Sequence, residues 1–361
     1  MFGSVPALIM IILCFTAPDL SETGKFYWAL FTYITFTTLY TIIAIPVGSL
    51  IPAMTQDRDE RTSLASFRYL GASSGSITVA VLTLPLVGLF SSPQVGFPIV
   101  VGCLAVLGAI FAFLCFFNTK EVYSKPYEES IGVKKVTKMV FNNYPLHFVI
   151  LALLTTWVAN NIKQLTVVYF VKYNLQLEAY FSLILLGVIL QIMFGAYLIN
   201  VIKHKFEKKT LFMIGTFLYV ITDLIIYYIT GYENFWLLAF IATFGFIGFG
   251  MAGVMAWSMI ADTIEYGEWK SGFRAEGVLN AAHVFVFKLS VGFSAWLAGV
   301  ILESTDYVAN ASQQTPETLN GLFIMGYIFP AVAGTIAIIV TYFNKYDSNF
   351  YEKIFTELKQ R

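Results

Sequence analysis

Long apolar runs separated by short polar segments dominate the chain and indicate helices that cross a membrane. A helix rises about 1.5 Å per residue, so about 20 mainly apolar residues are needed to span the hydrocarbon layer. Strands of a membrane barrel would instead alternate apolar and polar residues over about ten positions. The ten predicted spans are residues 5–17, 26–54, 65–90, 96–117, 146–171, 181–202, 211–229, 235–261, 277–302 and 322–343.

Details inside these runs agree with that interpretation. The run over 5–17 is the shortest, and no basic segment precedes it, so we do not expect a cleaved signal peptide. Pro46, Pro85 and Pro330 lie inside spans, which membrane helices tolerate when neighbouring groups satisfy the freed backbone. The sequence therefore predicts an all-α, polytopic membrane helix bundle.

The placement of lysine and arginine predicts the topology. Alternate connections, over 18–25, 91–95, 172–180, 230–234 and 303–321, hold only Lys25 and Lys172. Lys163 and Lys288 lie within spans, and the other cations lie in the remaining connections, at the inner end of a span or in the C-terminal tail. Because cytoplasmic loops are enriched in lysine and arginine, we expect both termini on the cytoplasmic side of the cell membrane.

The amino-acid composition excludes several classes of protein. The 361 residues are 58% hydrophobic and only 12% charged, whereas soluble domains have about 45–50% apolar and about 25% charged residues. This excludes a disordered chain, a nucleic-acid-binding domain and an average cytosolic enzyme. Cys14, Cys103 and Cys115 lie in apolar runs and form neither a disulfide framework nor a metal-ligand spacing. With no phosphate-binding loop or nucleophile elbow either, we expect no enzyme and no cofactor.

The longest cytoplasmic connection divides the chain into two predicted bundles. It covers residues 118–145, carries five lysines, and separates four spans from six. We therefore predict a bundle over residues 1–117, a connecting loop over 118–145, and a six-helix bundle with a cytoplasmic tail over 146–361. The connections after the second and the eighth span are both short and dense in paired charges, as expected of parallel repeats.

Three stretches carry a resemblance to a known family. They are YTIIAIPVGSLIP from Tyr40, DRDERTSLASFR from Asp57, and ADTIEYGEWKSGFRAEG from Ala261. With them the chain resembles the glycoside-pentoside-hexuronide:cation symporters, a melibiose-carrier-like branch of the major facilitator superfamily. The resemblance implies a fold of twelve spans, of which the first two are expected to be missing here.

The resemblance also implies coupling to Na⁺ or H⁺. In this family the first two helices usually carry the aspartates that bind the coupling cation and the sugar. Ala44 stands where the melibiose carrier has a further aspartate. The sequence therefore assigns cation coupling to no residue of this chain.

Ionisable side chains within spans are the candidates for chemistry, because a charge at the bilayer centre is costly. Asn160, Lys163 and Gln164 follow an i, i+3, i+4 spacing and are predicted to share a helix face, beside Asn161. We interpret them as lining a sugar cavity, and helix packing is the alternative. Asp223 is predicted to hydrogen-bond a neighbouring helix.

Four further substrate candidates rest on the resemblance or on their position. The resemblance places Tyr40, Arg68 and Lys288 near the sugar, where an aromatic ring and charged donors suit a carbohydrate. Arg68 has the alternative of extending its side chain to the inner membrane surface. His283, one turn after Asn280, is either a neutral packed side chain or a proton-relay group.

The two charged connections are predicted to form a cytoplasmic gate. In the inward-closed state Asp57, Glu60 and Arg61 are expected to pair with Asp262, Lys270 and Arg274, with Glu265 in the same cluster. Several exposed pairs of about 0.2–1 kcal/mol each could shift a conformational equilibrium.

These observations predict a secondary active transporter that carries a sugar with a cation by alternating access, in a lipid bilayer and as a monomer. The resemblance implies that the substrate is a glycoside, pentoside or hexuronide. The alternatives are a carrier of lipids or other amphiphiles, a truncated transporter without function, and, from other classes, a membrane enzyme or a channel. Because the named cavity candidates include Arg68, Lys163 and Lys288 without a clear acid, the sequence further predicts an anionic sugar such as a hexuronide.

Overall fold

The structure, a computed structural model, describes residues 3–55, 57–120, 122, 132–273, 276–309, 311, 313–346 and 348–360. Twelve α-helices follow one another along these ranges. They are α1 (Ser4–Cys14), α2 (Glu22–Met54), α3 (Arg58–Val87), α4 (Pro93–Asn118), α5 (Val133–Asn142), α6 (Tyr144–Tyr169), α7 (Phe181–Ile202), α8 (Lys208–Ile225), α9 (Phe235–Ser271), α10 (Glu276–Ser304), α11 (Pro316–Phe343) and α12 (Ser348–Gln360). Short π-helical turns, Phe170–Asn174 and Ile226–Thr230, continue α6 and α8.

Nine helices of the described residues are long and apolar enough to cross a membrane, where the sequence predicted ten. The class of the fold is confirmed, and the tenth full span is wrong for the described residues. The predicted span over 5–17 is instead α1, which has eleven residues and is therefore about 17 Å long. It ends at Cys14 ahead of Pro18, because proline cannot continue a helix.

Side-chain caps and a glycine explain where several helices begin and end. The Asn143 side chain accepts a hydrogen bond from the Leu146 amide and starts α6, and Asn234 does the same for α9. Gly272 has a φ of +80°, a left-handed conformation that ends α9. As a result α9 extends ten residues beyond the predicted span over 235–261 and carries the charged motif on a helix rather than in a loop.

The helices group into two compact units, each described here by itself. The first comprises Met1–Gln56 and Ser74–Pro126, and the second comprises Asp57–Ser73 and Tyr127–Arg361. The predicted division at residues 117 and 145 stays a prediction. The contacts group residues 57–73 with the second unit, because this segment hydrogen-bonds to α7 and α9, for instance from Ser66 Oγ to the Ala196 carbonyl at 3.0 Å.

In the first unit α1 packs against α2 and α4. The Trp28 indole of α2 donates to the carbonyl oxygens of Leu13 and Thr16 at 3.3 and 3.1 Å. The Leu13 carbonyl also accepts the Thr16 amide at 3.1 Å, so the indole adds a second donor at the end of α1. The two indole bonds also fix where the connection between α1 and α2 runs.

In the second unit α9 packs closely against α7 and α8. A Cβ atom added to Gly195 of α7 would lie 2.0 Å from the Ile247 carbonyl oxygen of α9, and one added to Gly248 of α9 would lie 2.4 Å from the Gly215 carbonyl oxygen of α8. Small residues let membrane helices approach in this way. On the other side of the unit, α6 packs against α10 and α11.

Two helices that the span pattern did not predict lie outside the membrane spans. The ten-residue α5 falls within the predicted loop over 118–145 and buries Met139 in a cluster with Ile264 of α9. The C-terminal α12 buries Tyr351 and Ile354 in a cluster with Tyr266 of α9. Both helices therefore pack against the C-terminal extension of α9.

Candidate functional site

The polar residues of α6 do not all point into one environment. Asn160 is buried and Gln164 is exposed. The Asn161 side-chain amide donates to Ser290 Oγ of α10 at 3.0 Å. Asn161 therefore makes a helix-packing contact, which is the alternative that the sequence left open for this face. Lys163 instead takes part in an ion pair.

Lys163 forms an ion pair with Asp223 of α8. The carboxylate is 2% exposed and the ammonium 13% exposed. Asp223 does hydrogen-bond a neighbouring helix, as its sequence context predicted. The prediction of an anionic sugar assumed that no acid lies near the cavity cations. This assumption is wrong for Lys163, because the folded chain brings Asp223 to it from 60 residues away.

Three aromatic rings surround the Lys163 ammonium. Its nitrogen lies 4.6 Å from the ring centre of Tyr219, 5.0 Å from that of Tyr327 and 5.2 Å from that of Phe246. Cations are attracted to the faces of such rings within about 6 Å. The rings come from α8, α11 and α9, so the ammonium lies where four helices of the second unit meet.

A second cluster joins α3, α9 and α10. The Arg68 guanidinium carbon lies 4.4 Å from the centre of the Trp257 ring, and the Trp257 and His283 ring centres are 4.2 Å apart. His283 is 4% exposed, and neither of its ring nitrogens has a hydrogen-bond partner within the described ranges. An imidazole in this state offers both a donor and an acceptor to a ligand.

A glycine of α9 explains how α3 comes so close. A Cβ atom added to Gly253 would lie 2.7 Å from the Tyr69 ring, so a larger residue would hold α3 away. Trp257 follows Gly253 by one helical turn, and Arg68 precedes Tyr69. The close approach therefore places the guanidinium over the indole.

Three other residues were named from the resemblance, and the structure gives the burial of each. Lys288 is half-buried on α10, five residues after His283. Tyr40 belongs to the first unit, where it is exposed and its ring lies 6.3 Å from that of Phe36. Ala44 is half-buried on the same helix. The side chain of Asn280 lies outside what the structure describes.

Two ion pairs join charged residues of the predicted gate to other helices, and neither pair is one of those named from the sequence. Arg61 pairs with Glu265, and both side chains are 2% exposed. Asp262 pairs with Lys208 of α8, whose ammonium lies 2.8 and 3.0 Å from its two oxygens. Lys208 was not named from the sequence, because a lysine at the inner end of a span is usually an exposed topology signal.

Two of the other predicted gate residues make hydrogen bonds near the ends of helices. Asp57 Oδ1 accepts the Glu60 amide at 2.9 Å, which is the geometry of a helix N-cap at the start of α3. Lys270 donates to the Asn142 carbonyl oxygen and the Tyr266 hydroxyl at 3.0 and 3.2 Å. Glu60 is exposed. Arg274 lies outside the described residues, so its predicted pairing stays a prediction.

Four aromatic residues of these clusters were not predicted from the sequence: Trp257, Tyr219, Phe246 and Tyr327. A single aromatic residue in an apolar span carries no signal of its own, because most such residues pack against lipid or other helices. Within the described part of the chain no group of three or more His, Cys, Asp or Glu side chains could hold a metal ion.

Comparison with known proteins identifies the family. The family model for MFS/sugar transport proteins matches residues 1–348. The chain belongs to this family. The sequence-based resemblance to melibiose-carrier-like major facilitators is thereby confirmed, and this sugar-transport family member is a multi-pass membrane transporter rather than an enzyme.

Its relatives and structural neighbours are of the same kind. The chain is 32% identical to the Uncharacterized symporter YjmB of Bacillus subtilis (strain 168), covering 100% of this chain and 79% of the relative. It is 29% identical to the Isoprimeverose transporter of Lactiplantibacillus pentosus, covering 99% and 75%. It is 30% identical to the Putative sulfoquinovose importer of Escherichia coli (strain K12), covering 100% and 77%.

Among solved structures, the crystal structure of the MFS transporter FucP in the outward conformation has a TM-score of 0.62. FucP is 10% identical to this chain, and the match covers 95% of this chain and 82% of FucP. At that identity the likeness concerns the fold alone.

Proposed function

We propose that this MFS transporter carries a glycoside, pentoside or hexuronide into the cell together with a cation, by alternating access. The observation that carries the proposal is the cluster of Arg68, Trp257 and His283 inside the second unit. A ring face and nearby hydrogen-bond donors suit the apolar face and the hydroxyls of a sugar, and a few placed polar groups in an otherwise apolar site give specificity.

The names of the relatives support the same reading. One is called a symporter, and two are named for the sugars isoprimeverose and sulfoquinovose. We infer from them that the substrate is a small sugar derivative and that its transport is coupled to an ion. We propose Na⁺ or H⁺ as that ion.

The sequence predicted an anionic sugar, and the ion pair of Lys163 removes part of the reason for that prediction. Lys163 was one of the cations that a hexuronide would neutralise, but Asp223 already pairs with it. Lys163 therefore no longer supports an anionic sugar, and a neutral glycoside and an anionic one both belong in the test.

Uptake into proteoliposomes tests the transport function. The purified protein is reconstituted, and accumulation of labelled isoprimeverose, a labelled neutral glycoside and a labelled glucuronide is measured under a Na⁺ gradient, a pH gradient and no gradient. We expect gradient-driven accumulation of at least one sugar, and a higher KM for its uptake in Trp257→Ala. Movement of a labelled lysophospholipid without any sugar uptake would favour the amphiphile carrier and contradict the proposal.

We also propose that the ion pairs at the cytoplasmic end form a gate. Arg61–Glu265 and Lys208–Asp262 tie the start of α3 and the start of α8 to the extension of α9. Breaking them would release the segment over 57–73 from α9. Charge reversal at Glu265 should lower transport while leaving membrane insertion intact, and the reciprocal reversal at Arg61 should restore part of it.

The membrane setting completes the proposal. We propose that the protein lies in the cell membrane as a monomer with both termini in the cytoplasm. The cation distribution supports this orientation for the C-terminus, since the connections rich in lysine and arginine lie on its side. For the N-terminus the proposal further requires that the segment containing the eleven-residue α1 crosses the bilayer.

A further inference from the structure

The Lys163–Asp223 ion pair lies inside the helix bundle, away from the cytoplasmic charges. Asp223 projects from α8 and Lys163 from α6. The carboxylate is 2% exposed, and within the described residues only one of its two oxygens has a hydrogen-bond partner, because Oδ2 is buried without one. Buried polar atoms are nearly always paired, so an unpaired carboxylate oxygen calls for an explanation.

A purely structural role explains this pair poorly. Two charges removed from water lose more hydration than an ion pair usually returns, and well-packed apolar residues often stabilise a protein as well or better. A structural pair also has no use for a carboxylate oxygen without a partner. Ionisable residues inside a membrane span are for this reason functional candidates by default.

The surroundings of the pair allow the carboxylate to change its charge. The titratable groups that face Asp223 are Lys163 from α6, Tyr219 from α8 itself and Tyr327 from α11, while α9 contributes the ring of Phe246 beside Lys163. If Asp223 became neutral, the ammonium would lose its counter-ion. The three ring faces at 4.6 to 5.2 Å would still stabilise it.

We propose that Asp223 is a proton-binding site of this transporter, with Lys163 as its exchangeable partner. In the step, Oδ2 of Asp223 takes up one proton and the carboxylate becomes a neutral carboxylic acid, while Lys163 remains an ammonium ion held by the rings. The reverse step returns the proton and restores the ion pair. No other bond forms or breaks.

A proton fits this site better than Na⁺ does. A hard metal cation requires several oxygen ligands around it, whereas the shell around the pair consists mainly of ring faces. A proton requires one free oxygen, which Oδ2 provides. Protonation would also loosen the direct link between α6 and α8, and α6 carries Asn161, which contacts α10. The charge of Asp223 can thus act on the packing of the helices that hold the second unit together.

This inference rests on the proposed symport for its meaning, but a first experiment tests it without any sugar. The purified protein in lipid nanodiscs is acidified stepwise while the infrared carbonyl band of protonated carboxyl groups is recorded. We expect a band shifted from that of hydrated carboxyls, because Asp223 is buried. The contribution of Asp223 to this band should be missing from Asp223→Asn, so that the band is weaker there, and the band should be unchanged in Glu178→Gln, which removes the exposed partner of Lys172.

A variant with both charges removed protects the experiment against misfolding. Asp223→Asn alone leaves Lys163 buried without a counter-ion, so the double variant Lys163→Gln with Asp223→Asn is measured in parallel. It should fold, as judged by its thermal unfolding, and should lack the same contribution to the band. If either variant keeps the full wild-type signal, Asp223 does not take up the proton and the proposal is wrong.

Transport provides the second readout, with the sugar that the wild-type protein accumulates. With one proton per sugar, a gradient of one pH unit supports up to about tenfold accumulation. Asp223→Asn should lose this accumulation and keep sugar exchange at equal pH. Accumulation driven by Na⁺ alone would overturn the proton assignment. If no sugar is transported at all, the proposed symport fails, and the infrared experiment still decides the proton site.

Discussion

The strongest test of the gate is removal of one partner from the Arg61–Glu265 ion pair. Both side chains are 2% exposed, so Glu265→Ala leaves a guanidinium buried beside the space of the missing carboxylate. Removing one member of a buried pair costs roughly 3–5 kcal/mol. If the start of α3 separates from α9, Arg61 gains water and this cost is relieved.

The free energy that the unpaired guanidinium costs while α3 and α9 are in contact therefore favours the open state, in which the start of α3 has separated from α9. A change of roughly 3–5 kcal/mol corresponds to a shift of roughly two to four orders of magnitude in an equilibrium constant. Replacing both partners with apolar residues of similar volume leaves no buried charge, so Arg61→Met with Glu265→Leu should leave the equilibrium close to that of the wild type.

Thiol labelling measures the opening directly. Ala65, one turn after Arg61 on α3, is 4% exposed and is replaced by cysteine in a background where Cys14, Cys103 and Cys115 are serine. A membrane-impermeant maleimide is applied from the cytoplasmic side of inside-out vesicles. We expect Glu265→Ala to raise the labelling rate roughly a hundredfold or more, until opening no longer limits the reaction.

Two controls separate gating from general loosening. Glu178→Gln breaks an exposed pair whose nitrogen and oxygen lie 3.8 Å apart, and it should leave the labelling unchanged. The exchange Arg61→Glu with Glu265→Arg should bring the rate back towards the wild-type value. An unchanged rate in folded Glu265→Ala protein would refute the gate.

Three further predictions concern topology, packing and the sugar site. Reporter tags at both termini should indicate the cytoplasm and a tag within residues 303–321 the outside; an external C-terminus would contradict the proposed orientation, and an external N-terminus would show that the segment containing α1 does not cross the bilayer. Gly195→Ala should destabilise the protein by about 1–3 kcal/mol in thermal unfolding, because its Cβ would lie 2.0 Å from a backbone carbonyl of α9, whereas Gly187→Ala on the same helix has open space and should not. Trp257→Ala should raise the KM for sugar uptake about 5- to 30-fold, the factor that a loss of one or two kcal/mol produces, while Trp257→Phe keeps a ring and should lose less; equal KM values for all three proteins would exclude the indole from the site.

The pattern of the sequence was sufficient for the architecture. The length and uniformity of the apolar runs determine that the chain forms spanning helices, because no other backbone arrangement of that length satisfies its polar groups in lipid. Nine of the ten predicted runs became such helices in the described part of the chain. The charged motifs around Asp57 and Asp262 indicated the family, and the match to the family model confirms it.

The partners of the charged residues were decided only by the tertiary structure. Arg61 and Glu265 are separated by 204 positions, and Lys163 and Asp223 by 60. The spacing of residues along one helix states which of them share a face, but not which face of another helix lies opposite. That choice depends on close helix approaches such as Gly195 against α9 and Gly253 against Tyr69.

For this reason the sequence identified Lys163 as important and misjudged its environment. Asp223 was visible as an acid in an apolar span, yet only the packing of α6 against α8 shows that it neutralises Lys163. Trp257 gave no sequence signal at all, since its role depends on the Arg68 side chain that the fold places over its ring. The composition of the spans thus determined that the chain enters the membrane, and the contacts between the spans determined which of its charges remain available for transport.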